Sequence, residues 1–172
     1  MRPDLPIEQL VRRNDTRFQL GFGAEARERI PESSEFALQV GRNGLLVLAR
    51  NEESLAPPVD LLRGVYGPKL EVDAPRVRLI SGVQVKEPIM HIRISLRVQF
   101  LDAVARAMLG RGLAPTEEYA RGRFCVLRYE APFVELLGLG AELACITGGT
   151  AKHWVALSHY ALVTRGPGGD AA

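Results

Sequence analysis

Residues 89–96 alternate without a break: Met90, Ile92, Ile94 and Leu96 on one side, His91, Arg93 and Ser95 on the other. A period of two predicts a strand with one buried face. The period then changes. Leu101, Val104 and Met108 recur at the spacing of one helix face, which predicts a helix over 98–109 stopped by Gly110-Arg111-Gly112. Residues 113–118 and 123–130 read as strands around Ala120-Arg121-Gly122. Pro132 reads as the opening of a second helix, closed by Thr147-Gly148-Gly149, and 152–163 as a last strand. The order is β-α-β-β-α-β.

The first half is patterned more loosely. Leu5, Ile7, Leu10 and Val11 suggest a short helix or arm within residues 1–15, and the partial alternation of 16–24 suggests a strand. Residues 25–34 are charged and contain Pro31, so they read as a connection. Phe36–Val40 and Leu45–Ala49 flank Arg42-Asn43-Gly44. Asn-Gly between apolar runs signals a hairpin whose two central residues take positive φ. A helix is expected over 57–66, and Val77-Arg78-Leu79-Ile80 as a strand before the turn Ser81-Gly82. No long repeat is visible, although both halves are compatible with small α/β sandwiches. The expected class is α+β. A smaller α/β segment with a hairpin fills 1–85, a ferredoxin-like split βαβ sandwich fills 86–165, and 166–172 is a flexible Gly-rich tail.

Composition narrows the function classes. The 172 residues are 47% hydrophobic and 24% charged, with formal net charge +2, as in an ordinary globular protein. No apolar run approaches a membrane span, and Met1-Arg2-Pro3-Asp4 starts no secretory signal, so a cytoplasmic protein is expected. Two cysteines make neither a disulfide framework nor a zinc ribbon. Of the 22 basic residues only Lys69, Lys86 and Lys152 are lysines. Residues 1–85 carry 12 basic and 12 acidic side chains, and 86–172 carry 10 and 8. This balance permits RNA contact without arguing for it, and no DNA partner is expected.

Most catalytic readings fail on geometry. Gly21-Phe22-Gly23-Ala24-Glu25-Ala26 fits G-x-G-x-x-A, but Pro31 cuts short the helix a dinucleotide site needs, leaving strand or turn glycines. Thr147-Gly148-Gly149-Thr150 follows a helix rather than opening one, so it reads as a C-cap and not a phosphate loop. His153 and His159 would share a strand face roughly 20 Å apart, too far for one metal ion. Cys125 and Cys145 lie in apolar runs and read as buried, inert thiols. Glu117-Glu118 reads as solvated on a hairpin. No catalytic, cofactor or metal site is expected, and no enzyme activity.

The remaining candidate is the open face of the C-terminal sheet. If Met90, Ile92 and Ile94 face the helices, His91, Arg93 and Ser95 face out, joined by Trp154, Ala156, Ser158 and Tyr160 on the last strand. Arginines and aromatic rings on an open sheet suit single-stranded RNA. The same face would equally suit packing by the first half or by a second copy of the chain. Arg111, Arg121, Arg123 and Lys152 are candidate phosphate contacts in loops.

The second half resembles domain V of translation elongation factor G. The resemblance is carried by Glu87-Pro88-Ile89-Met90, by Arg111-Gly112 at a helix end, by Ala131-Pro132-Phe133-Val134-Glu135-Leu136-Leu137-Gly138, by Thr147-Gly148-Gly149 and by Ser158-His159-Tyr160, in order over about 80 residues. Phe18 to Val40, the 57–66 helix and Pro75 to Gly82 are similar to a shortened domain IV, with domain III as the other option. The resemblance implies a non-catalytic, stand-alone relative of that factor's C-terminal region, binding the ribosome, rRNA or a separate GTPase or translation-factor partner. The alternative is a protein-interaction or homodimeric assembly module. The chain has no G-x-x-x-x-G-K-[ST], so no phosphate-cradling loop. Leu109, Gly110, Gly148, Gly149 and Thr150 stand where the family tends to carry cations, each of which would add salt-dependent affinity.

Overall fold

Strand β1 (Ile7–Arg13) is the first departure from expectation: the segment read as a short helix or arm is a strand. The computed structural model describes residues 4–163, so the expected tail, 166–172, lies outside the described residues. Ile7 and Val11, both fully buried, sit four residues apart, a spacing that serves a helix or a strand equally. Tertiary pairing decides. β1 is hydrogen-bonded antiparallel to β3 (Gly44–Ala49) along one edge and to β4 (Leu70–Val72) and β5 (Arg76–Val77) along the other. Neither β4 nor the brevity of β5 was expected; Ile80 makes only an isolated bridge to Lys86.

The segment expected as a strand and connection over 16–34 is instead mostly helix α1 (Gln19–Arg29). Gln19 turns the chain into it. Its side-chain amide donates to the carbonyls of Arg13 and Thr16, both at 2.7 Å, and its oxygen accepts from the Arg13 amide at 3.1 Å. Glycines make this a weak helix by propensity, and packing explains their presence. A Cβ at Gly23 would lie 3.1 Å from the Gly44 carbonyl oxygen and 3.1 Å from Val40 Cγ1. The missing side chain lets α1 settle on the hairpin of β2 (Phe36–Gly41) and β3.

That hairpin forms as expected, but its turn differs. Gly41 pairs with Gly44, so Arg42 and Asn43 are the loop, and no described non-glycine residue has positive φ. Gly44 itself takes φ 133°, and a Cβ there would meet the Val11 carbonyl oxygen. Asn-Gly marks the right place because glycine is required where β3 leaves the turn, pressed against β1. Helix α2 (Ala56–Tyr66), with Pro57 and Pro58 in its first turn, follows as expected.

The second half opens with β6 (Lys86–Arg97), then α3 (Leu101–Gly110), β7 (Glu117–Arg121), β8 (Phe124–Pro132), α4 (Leu139–Thr147) and β9 (Lys152–Leu162). Pro132 ends a strand rather than opening a helix; a 3-10 turn over Phe133–Leu136 separates it from α4. The sheet order is β7-β8-β6-β9, all antiparallel. The first sheet runs β2-β3-β1-β4. The two halves therefore share one β-α-β-β-α-β topology and one strand order, without an internal repeat legible in the sequence. Two mixed α/β layers of antiparallel sheet and helix bear out the α+β, ferredoxin-like reading.

The halves meet through the segment between β3 and α2. Asn51 donates to the Val155 carbonyl at 3.3 Å, on the outer edge of β9. The Gly138 amide, before α4, donates to Glu52 at 2.8 Å, placing a carboxylate at a helix N-terminus where the dipole favours it. His153 Nε2 lies 3.0 Å from Glu53 Oε1. A Cβ on Gly140 would come within 3.0 Å of that imidazole, so glycine is what allows the approach.

Two helical glycines in opposite environments give opposite predictions. Gly64, exposed in α2, has nothing within 4 Å of where a methyl group would sit, so Gly64→Ala should stabilise by about 0.5–1 kcal/mol. Gly23 is buried against the hairpin, and Gly23→Ala should destabilise by about 1–3 kcal/mol through overpacking. Urea midpoints at constant m-value separate the two.

Candidate nucleic-acid interface

Strand register places every side chain of the C-terminal sheet on one of two faces, because directly paired residues point the same way. Met90, Ile92, Ile94 and Leu96 are buried under α3 and α4, with Cys125, Leu127 and Tyr129 of β8 beside them. The opposite face is open. One row across all four strands reads Glu117, Arg128, Arg93, Trp154; the next reads Tyr119, Val126, Ser95, Lys152; a third, at the hairpin end, reads Arg121, Phe124, Arg97. Trp154 is 58% exposed and Tyr119 and Phe124 are each 62% exposed, far more than rings held in a core.

The charges on this face are unevenly matched. Arg128 is held by Glu117 at 2.9 Å. Arg93, Arg97, Arg121, Arg123 and Lys152 make no side-chain hydrogen bond or ion pair among the described residues. Arg121 and Arg123 flank Gly122 at the tip between β7 and β8, where Gly122 takes φ 61°. A cationic surface with three exposed rings is suited to nucleic acid: guanidinium groups meet phosphates and rings stack bases.

The far end of the face carries a different cluster. A β-bulge between Ile89 and Met90 inserts Ser158 as an extra residue of β9 and reverses the alternation beyond it. His159 therefore lies on the open face opposite Ile89, whereas His153 lies on the helix side, so the two do not share a face as expected. Tyr160 is also moved off the open face. It turns toward the first half, where burial pushes its phenol up, with Arg78 opposing and Asp4 adding to the shift. Ser158 Oγ donates to Glu130 at 2.9 Å and lies 3.0 Å from His159 Nδ1, while His91 Nδ1 lies 4.0 Å from the same carboxylate. Serine and carboxylate meet one nitrogen of His159, so no relay across the ring exists and the group is not a hydrolytic triad. Among the described residues no group of three His, Cys, Asp or Glu is arranged to hold a metal ion.

Arg111 is elsewhere and otherwise occupied. Its Nε and terminal nitrogens grip Glu142 at 2.8 and 2.6 Å, and it donates to the carbonyls of Glu135 and Leu137 at 2.6 and 3.1 Å. It ties the end of α3 to the turn before α4 rather than presenting a free fork. The other sequence candidates also resolve. Gly21 and Gly23 lie inside α1, not at the mouth of a phosphate loop. Gly148 and Gly149 take left-handed φ of 60° and 75° and cap α4. Cys125 is buried, which raises its thiol pKa, but Cys145 is exposed rather than buried as expected. Of the residues named from the sequence, Arg93, Lys152 and Trp154 lie on the open face and Arg121 and Arg123 at its tip; beside them the register adds Arg97, Tyr119, Phe124 and Arg128, which the sequence reading did not name. Arg97 continues the alternation of β6, and Tyr119, Phe124 and Arg128 alternate along β7 and β8; joining those strands to β6 required the register.

This sheet, with two helices on one face, defines a split βαβ domain, and its sequence identifies the kind. Residues 84–168 match the family model described as elongation factor G C-terminus, so the second half is an elongation factor G C-terminal-like domain, as the resemblance implied. That domain family is non-catalytic. The whole chain is similar in fold to the crystal structure of ttk003000868 from Thermus thermophilus, with TM-score 0.66 and 14% identity. The likeness covers 94% of this chain and 41% of that one, so the chain spans less than half of that relative's length. No curated protein matches the chain. Among the described residues no helix is long and apolar enough to cross a membrane.

Because Arg111 is internally bonded, Arg111→Ala should lower stability by about 1.5–3 kcal/mol, the range for hydrogen bonds to a charged group. Arg111→Lys should recover little of it, since an ammonium cannot reproduce the fork. Chemical denaturation measures both.

Proposed function

We propose that this chain is a non-catalytic binding module that engages ribosomal RNA through the open face of its C-terminal sheet. The observation that carries the reading is the coincidence of unpaired cations and exposed rings on one surface: Arg93, Arg97 and Arg121 beside Trp154, Tyr119 and Phe124. The elongation factor G C-terminal-like domain supports a partner within the translation machinery. Packing of this face by the first half is disfavoured by that half's position, since its Asn51–Glu53 segment meets the β9 edge and the start of α4 and leaves the open face uncovered. Phosphate contact would release counterions, so affinity falls steeply with salt.

Co-sedimentation with ribosomes at several salt concentrations tests the reading. Saturable pelleting is expected, weakening as salt rises. An Arg93→Ala/Arg97→Ala/Arg121→Ala variant should bind more weakly, with a log–log salt slope shallower by about 0.7–0.9 for each phosphate it no longer neutralises. No pelleting at low salt, or pelleting that the variant retains unchanged, would overturn it.

A further inference from the structure

We infer that the open face holds two unpaired bases of one RNA strand, one against Trp154 and the other against Tyr119, with the backbone between them over Arg93 and Arg128. The inference rests on the RNA-binding reading above and specifies the form of RNA that the face selects.

Two adjoining depressions carry it. The first, about 650 Å³, is walled by Trp154 and His91 on one side and by Thr116 and Glu117 on the other, with Arg93 and Arg128 at its margin. The second, about 380 Å³, is bounded by Tyr119 and Val126 and shares Arg93, Arg128 and Glu117 with the first. The two guanidinium groups therefore form a ridge between two hollows, each bordered by one exposed aromatic ring. Both volumes fall in the general range of small-molecule sites. Three strand spacings and one same-face step separate Trp154 from Tyr119, roughly 16 Å. An extended strand crossing that distance lays its phosphates over the ridge.

The ridge is prepared for an anion. Glu117 holds Arg128 at 2.9 Å, fixing its guanidinium across the row, and Arg93 next to it has no acidic partner among the described residues. Phe124, a diagonal neighbour of Tyr119 on the adjacent strand, continues the aromatic surface toward the tip cations Arg121 and Arg123. This order of ring, guanidinium pair and ring follows the alternation of base and phosphate along a single strand. A duplex cannot use it, because its bases are stacked on each other and present only edges and backbone.

Trp154 is the only tryptophan in the chain, so its fluorescence reports on the site directly. Titration with single-stranded oligouridylate should quench it saturably. Duplex RNA of equal length should bind at least tenfold more weakly, and uridine monophosphate should not saturate at comparable concentrations. By anisotropy of labelled RNA, Trp154→Ala and Tyr119→Ala should each weaken single-strand binding by about 5- to 100-fold while leaving duplex binding within twofold. Both side chains are exposed, and circular dichroism checks that each variant is folded. Equal affinity for single strand and duplex, absence of quenching, or unchanged binding by both variants would overturn the inference. Ribosome pelleting with normal salt dependence but no quenching would leave the RNA-binding reading standing and remove this one.

Discussion

Three polar contacts from one short segment join the first half to the edge of the second, beside a hydrophobic core that runs through both halves. Asn51, Glu52 and Glu53 reach the edge of β9, the amide before α4 and the imidazole of His153. A sheet with helices on one face must either solvate or cover the other. Had the first half docked on the open face, the arginines and rings there would be interior groups, with their charges expensive to bury. Docking at the strand edge and helix end instead satisfies an edge carbonyl and a helix N-terminus. It leaves the open face exposed.

Once that face is free, the chemistry follows from the period of two. β6 alternates buried apolar residues with His91, Arg93, Ser95 and Arg97, and β8 alternates in register beside it, with Phe124, Val126, Arg128 and Glu130 on the open face. One set of side chains builds the core with α3 and α4. The other collects guanidinium groups that have few carboxylates to neutralise them. The net charge of the whole chain, +2, conceals this, because charge is distributed by face and not by segment.

Irregularities then divide the face into regions. The bulge at Ser158 turns Tyr160 inward and His159 outward, so the end near Glu130 becomes a serine, histidine and carboxylate cluster with little positive charge. The cationic and aromatic region is confined to the other end, toward the β7–β8 tip. Arg111, which by residue type belonged with the phosphate contacts, is consumed in holding α3 to the loop before α4. A cation's availability is set by what packs around it, and residue type alone does not reveal it.

The sequence by itself determined the first strand and first helix of the second half: unbroken alternation over 89–96, helix spacing at Leu101, Val104 and Met108, and the glycine stop at Gly110 are local signals, and local chemistry reads them correctly. It also determined the absence of a nucleotide loop of the G-x-x-x-x-G-K-[ST] kind. Only the tertiary structure decided that Ile7 to Arg13 is a central strand, since its identity comes from neighbours far away along the chain. It alone decided that a glycine-bearing segment is a helix, since Gly23 is favoured by contact with Gly44 rather than by propensity. Register likewise lies beyond the sequence. It joined Arg97, Tyr119, Phe124 and Arg128 to Arg93 and Trp154, and it removed Tyr160, because one inserted residue reverses every side chain after it.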